Sequence, residues 1–300
     1  MPVVTYNRSS RRGYSALAAL ALGTLLAAAP APRAAAQEAA PPPQQTPPPA
    51  AAAGAAAKIT PEVKELLGKM VAAHQGLKSY TARAEFAFAQ GDTKQSQSFD
   101  IAYEKPNKVR LTVADPETKS TRTIVSDGTA TYNSSTLDKA TYQKLAAAPD
   151  GKNIAGAFAV TQAGLGLLPM IITDPSAADK VVPPTAQDIA LGADSTIGEV
   201  PVKVLSFTLN VGEKPKFTLM IGKADNLLRR VSISAKTQGS DVTLTETFND
   251  VKADPKLDAA FFAFKPEPGA KEQTPGAPPA GVTPPAATPP AGAAPAKPTK

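Results

Sequence analysis

The stretch Ser79–Val113, SYTARAEFAFAQGDTKQSQSFDIAYEKPNKVRLTV, decides the fold. Tyr80, Ala82, Ala84, Phe86 and Phe88 take every second position, with Thr81, Arg83, Glu85 and Ala87 between them. After the polar run GDTKQSQS, Phe99, Ile101 and Tyr103 alternate with Asp100, Ala102 and Glu104. Past Lys105-Pro106-Asn107, Val109, Leu111 and Val113 alternate with Arg110 and Thr112. Successive side chains on a strand point to opposite faces, so each segment has one apolar and one polar face. Three such segments in a row predict an antiparallel meander, buried on one side and wet on the other.

Upstream of the meander the periodicity changes to that of a helix. Thr60 is a suitable N-cap, Pro61 fits the first helical position and Glu62 complements the helix dipole. Val63, Leu66, Leu67, Met70 and Val71 then recur on one face, and Gly76 is the expected stop. Downstream, Arg122–Ser126 leads into the hairpin signal Asp127-Gly128, with Thr129–Asn133 returning and a short strand over Thr141–Leu145. Residues 149–168 read as one or two short helices, and Pro169–Pro175 as an apolar run bounded by prolines. Strands are predicted again over Ile189–Leu191, Val200–Asn210, Lys216–Ile221, Leu228–Ala235 and Asp241–Val251. Val202 and Val204 are out of phase with Leu205, Phe207 and Leu209, which predicts either a bulge near Val204–Leu205 or a strand covered on both faces. Helix, strands, short helices and more strands make an α+β domain over 58–268.

The flanks have a different composition. Residues 1–36 have the form of a signal peptide, with Arg8, Arg11 and Arg12 before the uncharged Ala16–Ala29 and small residues at Ala34-Ala35-Ala36. Ser10-Arg11-Arg12-Gly13-Tyr14 partly resembles a twin-arginine signal, although ordinary Sec export is the expected route. Residues 37–57 form a Pro/Ala-rich linker and residues 269–300 a Pro/Ala-rich tail. Both lack the large apolar side chains needed to offset the entropy of ordering, and are expected to be disordered. A polyproline-binding envelope protein is a possible partner for such tails.

Composition narrows the function classes. The formal charge of +6 includes four leader arginines (Arg8, Arg11, Arg12 and Arg33), leaving +2 for the remainder. A nearly neutral domain gives no basis for a nucleic-acid partner. With no cysteine there is no disulfide, thiolate nucleophile or Cys-ligated metal site. His74 is the only histidine, no G-x-S-x-G elbow is present, and no carboxylates cluster at ligand spacing. A non-enzymatic protein without cofactor or metal is expected, and a monomer.

The order of elements resembles the LolA/LolB-like superfamily of lipoprotein carriers. The resemblance rests on the opening helix running into Ser79-Tyr80-Thr81-Ala82, on Tyr103-Glu104-Lys105-Pro106-Asn107-Lys108-Val109-Arg110, and on Asp127-Gly128. It continues through Leu227-Leu228-Arg229-Arg230-Val231, Phe248-Asn249-Asp250-Val251 and Phe261-Phe262-Ala263-Phe264-Lys265-Pro266. It implies a strongly curved antiparallel sheet, an incomplete barrel, covered on its concave side by the N-terminal helix and central short helices. It further implies that Phe86, Phe88, Phe99, Ile101, Tyr103, Val109, Leu111, Phe207, Phe217, Leu219, Val231, Ile233 and Leu244 face inward and line a hydrophobic-ligand cavity. The expected role is to bind or carry a lipid, acyl chain or lipidated partner in the periplasm, or a secreted or wall-associated location in a cell without an outer membrane. The residues alone leave open a structural or interaction module whose concave face is a solid core. Glu246 shares the phase of Val242, Leu244 and Phe248, which makes it a candidate polar contact in such a cavity, or else a sheet-edge or bulge position. Arg229 and Arg230 read as a solvated strand start or a contact for an anionic headgroup. Arg83 and Arg110 fall on the polar phase.

Overall fold

A computed structural model describes residues 59–147, 152–161, 164–237 and 239–273. The leader, the linker up to Lys58 and the tail beyond Gln273 lie outside the described residues. Helix α1, Pro61–Gly76, starts as its sequence directs, with the Thr60 side chain accepting from the Val63 N–H at 3.4 Å. Its end falls at the expected Gly76. Gly76 is the last helical residue and no left-handed cap follows; Leu77 is already extended, and the chain passes directly into the sheet.

Six strands follow in meander order: β1 Ser79–Gln90, β2 Thr93–Glu104, β3 Lys108–Asp115, β4 Ser120–Asp127, β5 Ala130–Ser135 and β6 Asp138–Ala146. Three short helices come next: α2 Lys152–Thr161, α3 Leu167–Thr173 and α4 Ala177–Lys180. The chain then returns as β7 Ala186–Leu191, β8 Ser195–Ile197, β9 Val200–Leu209, β10 Lys216–Gly222, β11 Leu228–Thr237 and β12 Ser240–Ala253. A 3₁₀ turn, Ala259–Phe262, and a short β13, Lys271–Gln273, complete the described fold. The apolar run after Pro169 is therefore helical, with Pro169 inside the first turns of α3.

All these strands join one curved, unclosed sheet in the order β13-β6-β5-β4-β3-β2-β1-β12-β11-β10-β9-β7, with β8 also paired to β9. Every pairing is antiparallel except β13 on β6. The architecture is α+β, an incomplete barrel. Strand β1 lies at its centre, paired with its sequence neighbour β2 on one side and with the distant β12 on the other.

One face of the sheet meets the helices. Tyr80, Ala82, Ala84, Phe99, Ile101, Tyr103, Val109 and Leu111 form one core cluster with Leu67 and Met70 of α1, Ile154 and Phe158 of α2, and Ile171 of α3. Gln75 of α1 ties the helical layer together, its Nε2 donating to the Ile171 and Asp174 carbonyls at 3.1 and 2.7 Å. The opposite, convex face is partly covered by the C-terminal segment. Phe262 is buried beside Lys108, and the Phe264 ring stacks on Tyr132 at 4.6 Å. That segment carries the domain past residue 268, because Lys271–Gln273 pairs with Thr141–Gln143.

Two further departures have simple causes. The polar Thr93–Ser98 is strand rather than loop, since its backbone pairs along the whole of β1 and its side chains need no core. No bulge separates β9 from β10 at Val204–Leu205, where the register runs unbroken. Val202 is buried on the second face of β9 while its neighbours Pro201 and Lys203 are exposed, and from Leu205 onward the buried phase is the opposite one.

Leu111 sits fully buried at the centre of the first half-sheet. Replacing it with alanine removes packing that the rigid sheet cannot restore, and Leu111→Ala is expected to lower the unfolding free energy by about 3 kcal/mol. Urea denaturation of the variant and the parent measures the difference.

Candidate functional site

Register brings the inward residues into rows across the sheet. One row reads Leu205–Leu219–Val231–Glu246–Phe86–Gln97, and the next reads Phe207–Phe217–Ile233–Leu244–Phe88–Gln95. Directly opposed residues share a face, so all thirteen of the sequence-predicted apolar positions lie on the helix side. They are not buried alike. Phe99, Ile101, Tyr103, Val109, Leu111, Phe207, Leu219 and Val231 belong to the main core. Ile233 and Leu244 are buried but outside that cluster, and Phe86, Phe88 and Phe217 are half-buried. The apolar face thus continues beyond the part filled by α1, α2 and α3.

Glu246 sits in the middle of this face and is 1% exposed. Its cross-strand neighbours, Phe86 and Val231, offer no charge. The contact that holds it comes from above: the Leu165 N–H, in the connection between α2 and α3, donates to Glu246 Oε2 at 2.9 Å. Burial pushes the Glu246 carboxyl up to about 7, and that hydrogen bond works the other way. Position 164 is restricted to glycine twice over. Its φ is +67°, and a Cβ there would overlap the Glu246 carboxylate. The edge or bulge placement of Glu246 does not occur; the β11–β12 register is regular through it.

A second polar group lies buried on the inner side of α1. His74 is fully buried, not on a helix surface, and its Nδ1 is 3.0 Å from the Met70 carbonyl. A carbonyl only accepts, so Nδ1 carries the proton and Nε2 presents its lone pair. Tyr80, stacked on Tyr103 at 5.4 Å, lies beside the His74 ring. Arg229 is 8% exposed and paired with Asp225, which corrects its reading as a solvated strand start. Arg230 does lie outward, with its Nε donating to the Thr247 hydroxyl at 3.0 Å. His74 Nε2, the Tyr80 hydroxyl and Arg229 Nη1 are buried without a hydrogen-bond partner. Burial lowers the His74 pKa to about 4, and Arg229 contributes in the same direction. Burial also raises the Tyr80 hydroxyl well above its usual range.

Arg83 and Arg110 occupy the convex face. There they line a shallow cleft of about 440 Å³ with Asp100, Asp250, Lys252 and Phe261. Arg110 Nη1 donates to the Phe261 carbonyl at 3.1 Å, and its guanidinium lies over that ring. Both arginines are on the wrong side of the sheet to reach a ligand on the concave face. Among the described residues no group of three or more His, Asp or Glu side chains could hold a metal ion.

Gly164, Leu165, Asp225 and the burial of His74 were not read as parts of a site from the sequence. The signal available for Gly164 was the Gly164-Leu165-Gly166 triplet between two apolar segments.

An open antiparallel sheet with helices over an apolar face defines a LolA-like arrangement, as the sequence resemblance implied. More specifically, the chain belongs to the family described as "Predicted periplasmic protein (DUF2092)", whose model matches residues 64–273, and the protein is accordingly assigned to the periplasm. No described helix is long and apolar enough to cross a membrane. No curated protein sequence matches the chain. Similar solved structures include a LolA superfamily protein from Nitrosomonas europaea, with 10% identity, 67% of this chain and 97% of that chain covered, and a TM-score of 0.30. LprF from Mycobacterium bovis covers 66% and 97% at 15% identity and a TM-score of 0.41. The lipoprotein LppX from Mycobacterium tuberculosis covers 66% and 99% at 12% identity and a TM-score of 0.38. At such scores none of these overlaps carries a function across.

The chain's single histidine makes the buried cluster directly observable. Proton NMR titration should show one imidazole that stays neutral well below pH 6.5, with its midpoint near 4. Because the folded pKa is depressed, stability is intact above the unfolded value of 6.5 and is lost as pH falls toward 4, by up to about 3 kcal/mol. An imidazole titrating at 6.5 in the native protein would contradict this burial.

Proposed function

We propose that the protein is a non-enzymatic periplasmic binding protein that takes up an acyl chain, from a lipid or a lipidated partner, on the concave face of its sheet. The supporting observation is the continuation of the apolar rows beyond the main core. Phe88 is half-buried there with the buried Ile233 and Leu244 beside it, and the half-buried Phe86 and Phe217 join this surface to the main core they pack against. An acyl chain needs contiguous apolar surface more than directional bonds, and aromatic and aliphatic side chains in register supply it. Gln95 and Gln97, at the β2 end of the two rows, offer amides to a headgroup. The other eight of the thirteen positions, Phe99, Ile101, Tyr103, Val109 and Leu111 on one side and Phe207, Leu219 and Val231 on the other, act as the walls behind this surface.

A second reading has its own support. Tyr103, Val109 and Leu111 are wholly buried beneath the helices, so that part of the concave face is solid core. In an envelope interaction module the remaining face would be a contact surface for protein, and the Pro-rich tail a tether.

The test is uptake of a fluorescent fatty-acyl probe, together with native mass spectrometry of the purified protein. Phe88→Asp places a charge on the half-buried part of the face and should weaken the probe about tenfold while leaving circular dichroism unchanged. A protein that is repeatedly lipid-free and takes up no probe would overturn the acyl-chain reading and leave the interaction module.

A further inference from the structure

Three features converge on Glu246. Its carboxylate is the acidic group buried at the centre of the apolar face. The α2–α3 connection rests on it through the Leu165 N–H. The residue at the contact is one where any side chain would collide with it, in a backbone conformation that glycine alone adopts without strain. Beyond this turn the chain enters α3, which packs Leu168, Ile171 and Ile172 into the core and is held to α1 by Gln75. Release of the turn would therefore uncover the middle of the concave face while the sheet stays intact.

We propose that Glu246 and the Gly164–Leu165 turn form a proton-controlled latch, closed while the carboxyl is protonated and released when it ionises, so that the concave face opens as pH rises. The proposal rests on the reading of that face as the binding surface. A protonated carboxyl keeps a carbonyl oxygen to accept the Leu165 N–H and buries no charge. An ionised one keeps the hydrogen bond but must be desolvated among apolar neighbours, and one neutral donor does not offset that cost. Water reaches the carboxylate only if the turn lifts.

The surrounding groups do not supply a compensating cation. On β1 and β12 the same-face neighbours are Phe86, Phe88, Ala84, Leu244 and Phe248, and on β11 they are Val231 and Ile233. The titratable groups facing this region are Tyr80 on β1, whose ionisation Glu246 opposes, His74 on α1, which is neutral, and Arg229 on β11, which is paired with Asp225. The turn itself brings Gly164 and Leu165. Among the described residues no cation forms an ion pair with Glu246.

The sign of the effect follows from linkage. The folded, latched pKa of about 7 lies above the ordinary 4.5, so the latched state is fully favoured below 4.5 and loses ground as pH rises through 7. Hydrogen exchange on the full chain, corrected for intrinsic rates, reads this directly. Between about pH 5.5 and about pH 8.5, amides in 164–173 should lose protection on the order of tenfold, while β1–β2 amides hold theirs. Glu246→Gln keeps the acceptor, removes the ionisation and should abolish the difference. Gly164→Ala should leave the segment unprotected at both pH values, which covers the case in which the glutamine variant misfolds. Uptake of the fluorescent acyl probe is measured in parallel. Gated exchange without probe uptake at any pH supports the latch and removes the acyl-chain reading of the face it guards. Exchange that is independent of pH overturns the latch, as does the same pH dependence in Glu246→Gln or equal loss of protection across the whole sheet.

Discussion

The structure depends on the pairing of β1 with β12. Strand β1 bonds β2 over twelve residues and β12 over ten, so it joins the meander to the second half of the sheet. Its β12 partner comes more than 150 residues later, and nothing local holds them together. The junction is secured at one end by Asp254, whose Oδ1 accepts from the Lys78 and Ser79 amides at 2.6 and 3.1 Å. Ser79 Oγ adds a bond to the Pro255 carbonyl at 2.7 Å. The register so fixed sets Phe86 opposite Glu246 and Phe88 opposite Leu244. A slip by one residue would turn Glu246 to the wet face and Thr245 and Thr247 inward, undoing the core and the site together.

The same pairing explains why the two halves of the concave face differ. On the β2–β4 side the rows end under α2, and the bulky residues meet Ile154 and Phe158. On the β11–β12 side the rows run on past the helices, so Ile233, Leu244 and Phe88 lack a place in the main cluster. Four helices of sixteen, ten, seven and four residues leave part of a thirteen-stranded sheet uncovered. Uneven coverage, rather than any special residue, creates the candidate surface.

Much of this was legible in the sequence, because alternation reports the face of a strand directly. Phe86 through Val113 and Phe207 through Leu244 fall on the side their phase demanded. Thr93–Ser98 did not read as strand, since a polar strand beside a long partner leaves no apolar period. Val202 was ambiguous because the buried phase of its strand changes between Val202 and Leu205. Arg229 looked exposed because its partner Asp225 sits across a turn, and pairing is invisible to composition. For Gly164 the sequence offered only a glycine pair between apolar segments, not the reason for it. Its requirement comes from a carboxylate 82 positions later in the chain, and only tertiary structure brings the two together.

Two buried groups with opposite charge tendencies, His74 on α1 and Glu246 on β12, have effects on stability that run in opposite directions. His74 binds its proton less readily when folded, so protonation of the unfolded chain erodes stability as pH falls from 6.5 toward 4. Glu246 binds its proton more readily when folded, so stability erodes as pH rises from 4.5 toward 7. Between 4.5 and 6.5 the two slopes oppose each other, and the global stability they govern is nearly level. Their local consequences remain distinct, because His74 belongs to α1 and lies beside Tyr80, whereas Glu246 is hydrogen-bonded to the turn before α3. A fold can therefore keep its sheet indifferent to proton concentration over this window while the cover above the concave face responds to it. That separation requires the two groups to meet different parts of the helical layer, and they do: His74 belongs to α1, whereas Glu246, on β12, is held by the turn before α3.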